Sequence, residues 1–200
     1  GFVALLARYS GQKDIVLGSP IAARNRTEIE PLIGFFVNTL VFRTDLSGDP
    51  TGMALLEQVR QVALGAYAHQ DIPFEQLVDA LRPERSLSYA PLFQVVFAFQ
   101  NVPDTAITEL ESLGLTLSQA PVETGTAKFD LSLSLAQDGA GIVGALEYNT
   151  DLFEAATVVR MVGHWKTLLA GMVANPQQRL SKLPLLTAAE QQQLLVEWND

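Results

Sequence analysis

Apolar residues recur along this chain with two periods, near 3.6 and near 2, and the switches between them divide it into elements. Phe2, Leu5, Leu6 and Tyr9 fall at helical spacing, and Gly11 is placed to stop that helix. Asp14 to Ala22 is a short apolar run that reads as a buried strand, with Pro20 near its end. Ile33 to Arg43 reads as a second strand. Thr51 opens a helix whose stripe is Leu55, Leu56, Val59, Val62, Ala63, Ala66 and Tyr67. A shorter helix is predicted from about Pro73, a residue suited to a first turn because it lacks an N–H; it carries Phe74, Leu77, Val78 and Leu81. Phe93, Val95, Phe97 and Phe99 alternate with their neighbours as a strand. Residues 101–127 are weakly patterned, with only Leu113, Leu115 and Leu117 alternating. Stretches that long without regular structure are usually functional or mobile. Phe129, Leu131, Leu133 and Leu135 then face Ile142, Gly144, Leu146 and Tyr148 across a Gln137–Gly141 turn, the signature of a hairpin. A long helix follows from about Glu154, turning Val158, Met161, Val162, Trp165, Leu168, Leu169 and Met172 inward, with Pro176 beyond its end. Thr187 to Glu190 has capping-box spacing and opens a last helix through Leu194 and Leu195. Together these elements predict an α+β fold, a mixed β-sheet flanked by helices.

One polar residue breaks the pattern. In the Ile33–Arg43 run, alternation places Phe36, Asn38, Leu40 and Phe42 on one face and Phe35, Val37, Thr39, Val41 and Arg43 on the other. Asn38 thus sits in an apolar row. A buried amide needs partners for two donors and a carbonyl, so it is either locked into a network or reserved for a ligand. A structural amide bridging neighbouring strands is at least as good a reading as a ligand contact.

Composition narrows the classes. Two hundred residues with 48% hydrophobic content suit one large domain or two small ones with a packed core. The net charge of -9, without a basic stripe, makes nucleic acid and anionic membrane poor partners. The absence of cysteine removes disulfides, thiolate nucleophiles and thiolate metal sites, and is compatible with a cytoplasmic setting. No apolar run reaches the length of a membrane span, and no signal peptide is visible. The chain opens in the body of a helix without Met or cap, which suggests a piece of a longer polypeptide.

The usual catalytic signatures are missing: there is no Gly-rich phosphate loop, no nucleophile elbow and no metal-ligand spacing. The two histidines, His69 and His164, lie far apart, and His164 reads as a helix-face residue at the edge of the core. His69-Gln70-Asp71-Ile72-Pro73-Phe74-Glu75 gathers an imidazole, an amide and two carboxylates into one helix-to-helix connection. A His–Asp pair can orient a general base. With no nucleophile nearby, a turn is favoured, in which Asp71 caps the short helix and His69 bonds a carbonyl of the preceding one. Arg24, Arg26 and Arg43 could hold a phosphate, but arginines beside loops and strand ends more often form surface ion pairs.

Taken together, the segments resemble the C-terminal lobe of the condensation domains of nonribosomal peptide synthetases. Ile33-Gly34-Phe35-Phe36-Val37-Asn38-Thr39 with Arg43 is similar to the family's Ile-Gly-x-Phe-Val-Asn-Thr motif, and residues 69–75 to its His-Gln-Asp-x-Pro-Phe-Glu motif. Arg85-Ser86-Leu87-Ser88-Tyr89-Ala90-Pro91-Leu92-Phe93-Gln94 resembles its Arg-x-x-Ser-x-x-Pro-Leu-Phe-Gln motif. Lys128 to Leu131, Tyr148 to Phe153 and the Leu185–Asn199 tail also look typical, so the resemblance covers essentially the whole chain.

The resemblance implies a chloramphenicol-acetyltransferase-like lobe over residues 1–176 and, over 177–200, a linker toward an adenylation domain. Residues 101–127 would be the segment that crosses to the N-terminal lobe. Donor and acceptor carrier domains would bring phosphopantetheine-tethered substrates into a tunnel between the lobes, with no cofactor bound directly. The acceptor amine would attack the donor thioester and form an amide. Asn38, Phe36 and Gly34 would line the tunnel, while Arg43, His69, Gln70, Asp71, Pro73, Arg85 and Pro91 would be structural motif residues. Arg85-Ser86-Leu87-Ser88 leans toward the class that accepts an L-configured donor. The family's His-His-x-x-x-Asp-Gly motif, placed by the resemblance in the N-terminal lobe, does not occur in these 200 residues, so the fragment alone is expected to be inactive. An epimerisation-type domain of the same superfamily and a non-catalytic docking or scaffold lobe are the alternatives.

Overall fold

The structure is a computed structural model, described for residues 1–24, 26–84, 86, 89–100, 125–138 and 141–198. Its helices and strands are α1 (Phe2–Ser10), β1 (Asp14–Ile21), β2 (Asn38–Asp45), α2 (Gly52–Ala68), α3 (Phe74–Leu81), β3 (Val95–Gln100), β4 (Leu131–Asp138), β5 (Gly141–Tyr148), α4 (Ala155–Ala174) and α5 (Ala188–Gln192). A 3-10 turn at Leu180–Lys182 precedes α5, and a π turn at Gln193–Glu197 continues it. The five strands form one sheet in the order β2-β1-β3-β4-β5. β1 runs antiparallel to β2 and parallel to β3, β3 is parallel to β4, and the β4–β5 hairpin is antiparallel. The expected α+β architecture, a mixed sheet flanked by helices, is the one observed.

The core explains the two periods. Phe2, Leu5 and Leu6 of α1 bury against Ile15 and Leu17 of β1, Leu131 and Leu133 of β4, and Met161 and Leu168 of α4. Leu180 and Leu183, from the chain after α4, close the same core. α1 ends at Gly11, whose φ of 70° lets its N–H reach the Ala7 carbonyl. β1 can approach β3 at Gly18 because a Cβ there would overlap the buried Phe93 ring. Phe93 itself lies before β3 and stacks obliquely with Phe74 and Phe129, at 5.5 and 5.7 Å between ring centres.

Two expectations need correction. The Ile33–Arg43 strand begins only at Asn38 and runs on to Asp45. Its partner explains the start, because β1 ends at Ile21, which pairs with Asn38, and earlier residues have no strand to join. Ile33 and Phe35 are instead exposed, and Phe36 lies outside the strand. The α2 stripe is also only partly buried: Leu55 is enclosed, but Leu56 is 63% exposed. α2 lies over β2 through the Phe42–Tyr67 edge contact and leaves a groove of about 1000 Å³ over the sheet, walled by Phe2, Leu17, Val62, Tyr67, Phe97 and Trp165. Leu113, Leu115 and Leu117 lie outside the described residues.

Candidate functional site

Asn38 is the joint between two of the motifs. It opens β2, and Leu40, Phe42 and Thr44 continue its face inward. Its Nδ2 donates to the carbonyls of Gln70 and Ile72, both at 2.8 Å, within the turn between α2 and α3. Its Oδ1 accepts from the Phe74 N–H at 3.2 Å and from the Thr39 N–H at 2.8 Å. Both donors and the carbonyl are therefore engaged by backbone, so the network that a buried amide requires is present. The amide also solves a problem for α3. The N-cap residue of that helix is Pro73, whose side chain cannot accept a hydrogen bond, so the first helical N–H takes its acceptor from a different element.

The chain before β2 is held by Arg24. Its Nη1 donates to the carbonyls of Ile29 (2.6 Å) and Glu30 (3.0 Å), and its Nη2 to that of Gly34 (3.4 Å). The guanidinium also lies 4.3 Å above the Phe36 ring centre. Neither a phosphate site nor a surface ion pair describes this residue; it is the frame of the 29–36 loop. Arg43 does form the surface pair: its Nε and Nη2 grip the Asp14 carboxylate at 2.8–3.0 Å. That hydrogen bond holds the Asp14 carboxyl below its ordinary range.

His69 follows the turn reading, with Nδ1 2.9 Å from the Gly65 carbonyl one helical turn back, but the cap position of α3 expected for Asp71 is held by Pro73. A carbonyl only accepts, so Nδ1 carries the proton there. The Pro73 carbonyl accepts from Gln76 N–H at 3.0 Å, and the Pro91 carbonyl from Phe93 N–H at 2.9 Å. Arg85 and the Leu87-Ser88 pair lie outside the described residues.

The structure thus brings Phe36, Asn38, Gln70, Asp71 and Pro73 around one open cavity of about 390 Å³, with Phe35, Phe74 and Glu75 on its rim. Gly34 joins them through Arg24 and through its approach to the Phe36 ring. Arg43 and Pro91 stand apart, at the far end of β2 and before β3. Sequence reasoning did not anticipate that Asn38 caps α3 or that Arg24 frames the loop. The first had a signal: a helix that opens on proline has no side-chain cap of its own. Arg24 had none, because a guanidinium bound to carbonyls leaves no pattern in a single sequence. Among the described residues, no group of three or more His, Cys, Asp or Glu side chains could hold a metal ion, and no helix is long and apolar enough to cross a membrane.

The family profile described as "Condensation domain" matches residues 2–195, and the chain belongs to that family. It is 54% identical over 199 residues to a linear gramicidin synthase of Brevibacillus parabrevis, covering 100% of this chain and 3% of that protein. Chondramide synthase cmdD of Chondromyces crocatus is 45% identical over 199 residues, 100% of this chain and 5% of that one. Among solved structures, a four-domain nonribosomal peptide synthetase bound to AMP and glycine matches with a TM-score of 0.84 and 27% identity over 94% of this chain and 15% of that chain. The X-domain from teicoplanin biosynthesis, solved in complex with OxyB, matches at 0.77 and 29% over 92% of this chain and 41% of that one. The chain therefore spans a few percent of the length of these curated relatives, 3% of the gramicidin synthase.

Proposed function

We propose that this chain forms one lobe of a condensation domain that joins a carrier-bound aminoacyl or peptidyl thioester to a carrier-bound acceptor amine. The observation that carries the reading is the meeting of two condensation-type motifs at Asn38, beside a cavity, in a chain that matches the family over residues 2–195. Tethering both substrates makes their encounter effectively intramolecular, so the lobe's work is to shape and hold a site. Asn38 serves by position: its amide is committed to backbone and sets the wall that Phe36 and the α2–α3 turn present. Phosphopantetheine arrives on the carriers, the N-terminal lobe completes the tunnel, and residues 177–200 lead toward an adenylation domain.

The proton-handling histidine motif is absent from these residues, so this lobe supplies positioning and no general base. Mixed with a donor-loaded and an acceptor-loaded carrier, the purified 200-residue chain should form no peptide above the carrier-only background. Product in that assay would overturn the assignment of the catalytic group to the missing lobe.

A second reading, a lobe that only docks other proteins, is supported by the X-domain neighbour, which was solved in a complex with OxyB. Sequencing the gene upstream of the Gly1 codon separates the two. An intact His-His-x-x-x-Asp-Gly run supports condensation, and a degenerate one supports docking.

A further inference from the structure

His164 is used by nothing in the proposed reaction, yet it is buried in the middle of α4 with both ring nitrogens engaged. Its Nδ1 lies 2.6 Å from the Tyr9 hydroxyl at the end of α1, and its Nε2 lies 2.9 Å from Glu190 Oε1 in α5. A carboxylate only accepts, so Nε2 carries a proton; in the neutral ring Nδ1 then accepts from the tyrosine O–H. The other carboxylate oxygen of Glu190 accepts from the Thr187 N–H at 2.8 Å and the Thr187 hydroxyl at 2.7 Å, while Thr187 Oγ1 accepts from the Glu190 N–H. One carboxylate therefore both closes the capping box of α5 and ties that helix to the lobe.

Burial shows how much depends on that tie. From Ala188 to Trp198, Glu190 is the one residue that is not exposed; Leu195 and Trp198 are 71% and 68% exposed. The segment's large apolar residues, Leu194, Leu195, Val196 and Trp198, are exposed and take no share in the core. With these residues exposed, the segment is tied to the lobe through the hydrogen bonds at its start, and such segments open at low cost.

We propose that Tyr9, His164 and Glu190 form a latch that straps the segment Thr187–Trp198 onto the lobe. Because cap and latch share the Glu190 carboxylate, loosening either end of the chain loosens the other. Tyr9, at the far end of the sequence, thereby governs the order of the C-terminal helix. The latch is independent of the chemistry proposed above and stands or falls on the strap alone.

Amide hydrogen exchange on the full chain tests it. Tyr9→Phe removes one hydroxyl from a residue that is 41% exposed and leaves the strap's own sequence untouched. Exchange at Gln191–Trp198 should rise about fivefold in that variant, the factor expected for one lost hydrogen bond. His164→Gln should raise it at least as much, and Thr187→Ala, which breaks the cap, should reach the same level without adding to Tyr9→Phe in the double variant. Unchanged strap exchange in Tyr9→Phe overturns the proposal. So does a rise shared equally by the Leu131–Asp138 amides of β4, because the tyrosine would then support the lobe and not the strap.

Discussion

At the scale of single residues, Asn38 holds its neighbours through groups that have no side-chain identity: two carbonyls and the N–H of Phe74, besides its own next residue. Substituting Asn38 by Ala leaves these groups without their partner, at a cost of about 1–3 kcal/mol if water does not replace it. The site is partly exposed, so the loss should fall toward the lower end. Asn38→Asp should cost more than Asn38→Ala, because a carboxylate would face the two carbonyls that now receive donors. Urea denaturation of the three proteins checks the order; a more stable aspartate variant would show that the carbonyls are not held by Nδ2. In the complete domain, Asn38→Ala should also lower turnover per folded molecule. If turnover stays unchanged while stability falls, the residue is structural only.

At the scale of elements, the joints are made by carboxylates whose protonation should undo them. Asp14 grips Arg43 across β1 and β2, Asp45 caps the turn at Ser47, Asp49 holds the 3-10 turn through Ser181, and Glu190 closes α5. Hydrogen bonds to each carboxylate lower its pKa below the ordinary value. The sign follows: their support is complete above the unfolded values of about 4 and is lost as the pH falls through the depressed folded values. The support these carboxylates give should therefore hold above about pH 4 and decline below it, as followed by thermal melts in a pH series. Stability unchanged between about pH 5 and about pH 2 would show that these carboxylates do not hold the joints. These elements were mostly legible beforehand. The α1 stripe with Gly11, the β4–β5 alternation and the Thr187 capping box each stand where the pattern put them. The start of β2 was not legible, because Ile33 to Val37 is as apolar as the strand itself. What ends the strand is the length of its neighbour, β1, which no local pattern encodes. The site was legible as motifs but not as contacts, since Asn38 bonds to backbone and Arg24 to carbonyls.

At the scale of the whole molecule, the apolar positions exceed what one core can hide. Ile33 and Phe35 are at least 90% exposed, and Leu56, Leu64 and Leu195 lie more than half in water. An open groove of about 1000 Å³ runs over the sheet. Such surface on an isolated chain favours association. Sedimentation velocity over a concentration series should show self-association that weakens when Ile33 and Phe35 are both replaced by Ser. A strictly monomeric chain at high concentration would show that this exposed apolar surface does not drive association. The net charge of -9 opposes association, so added salt should strengthen it.

The Asn38 joint has a consequence for anyone who recombines such proteins. Its partners in the α2–α3 turn are main-chain atoms, so the joint reads the path of that turn and is blind to its letters. A foreign turn of the same length and course can be spliced between His69 and Phe74 and still be gripped. A splice that keeps every letter but shifts the turn by a single residue puts a different set of atoms before the amide. In a chimera, what must be matched across this seam is length.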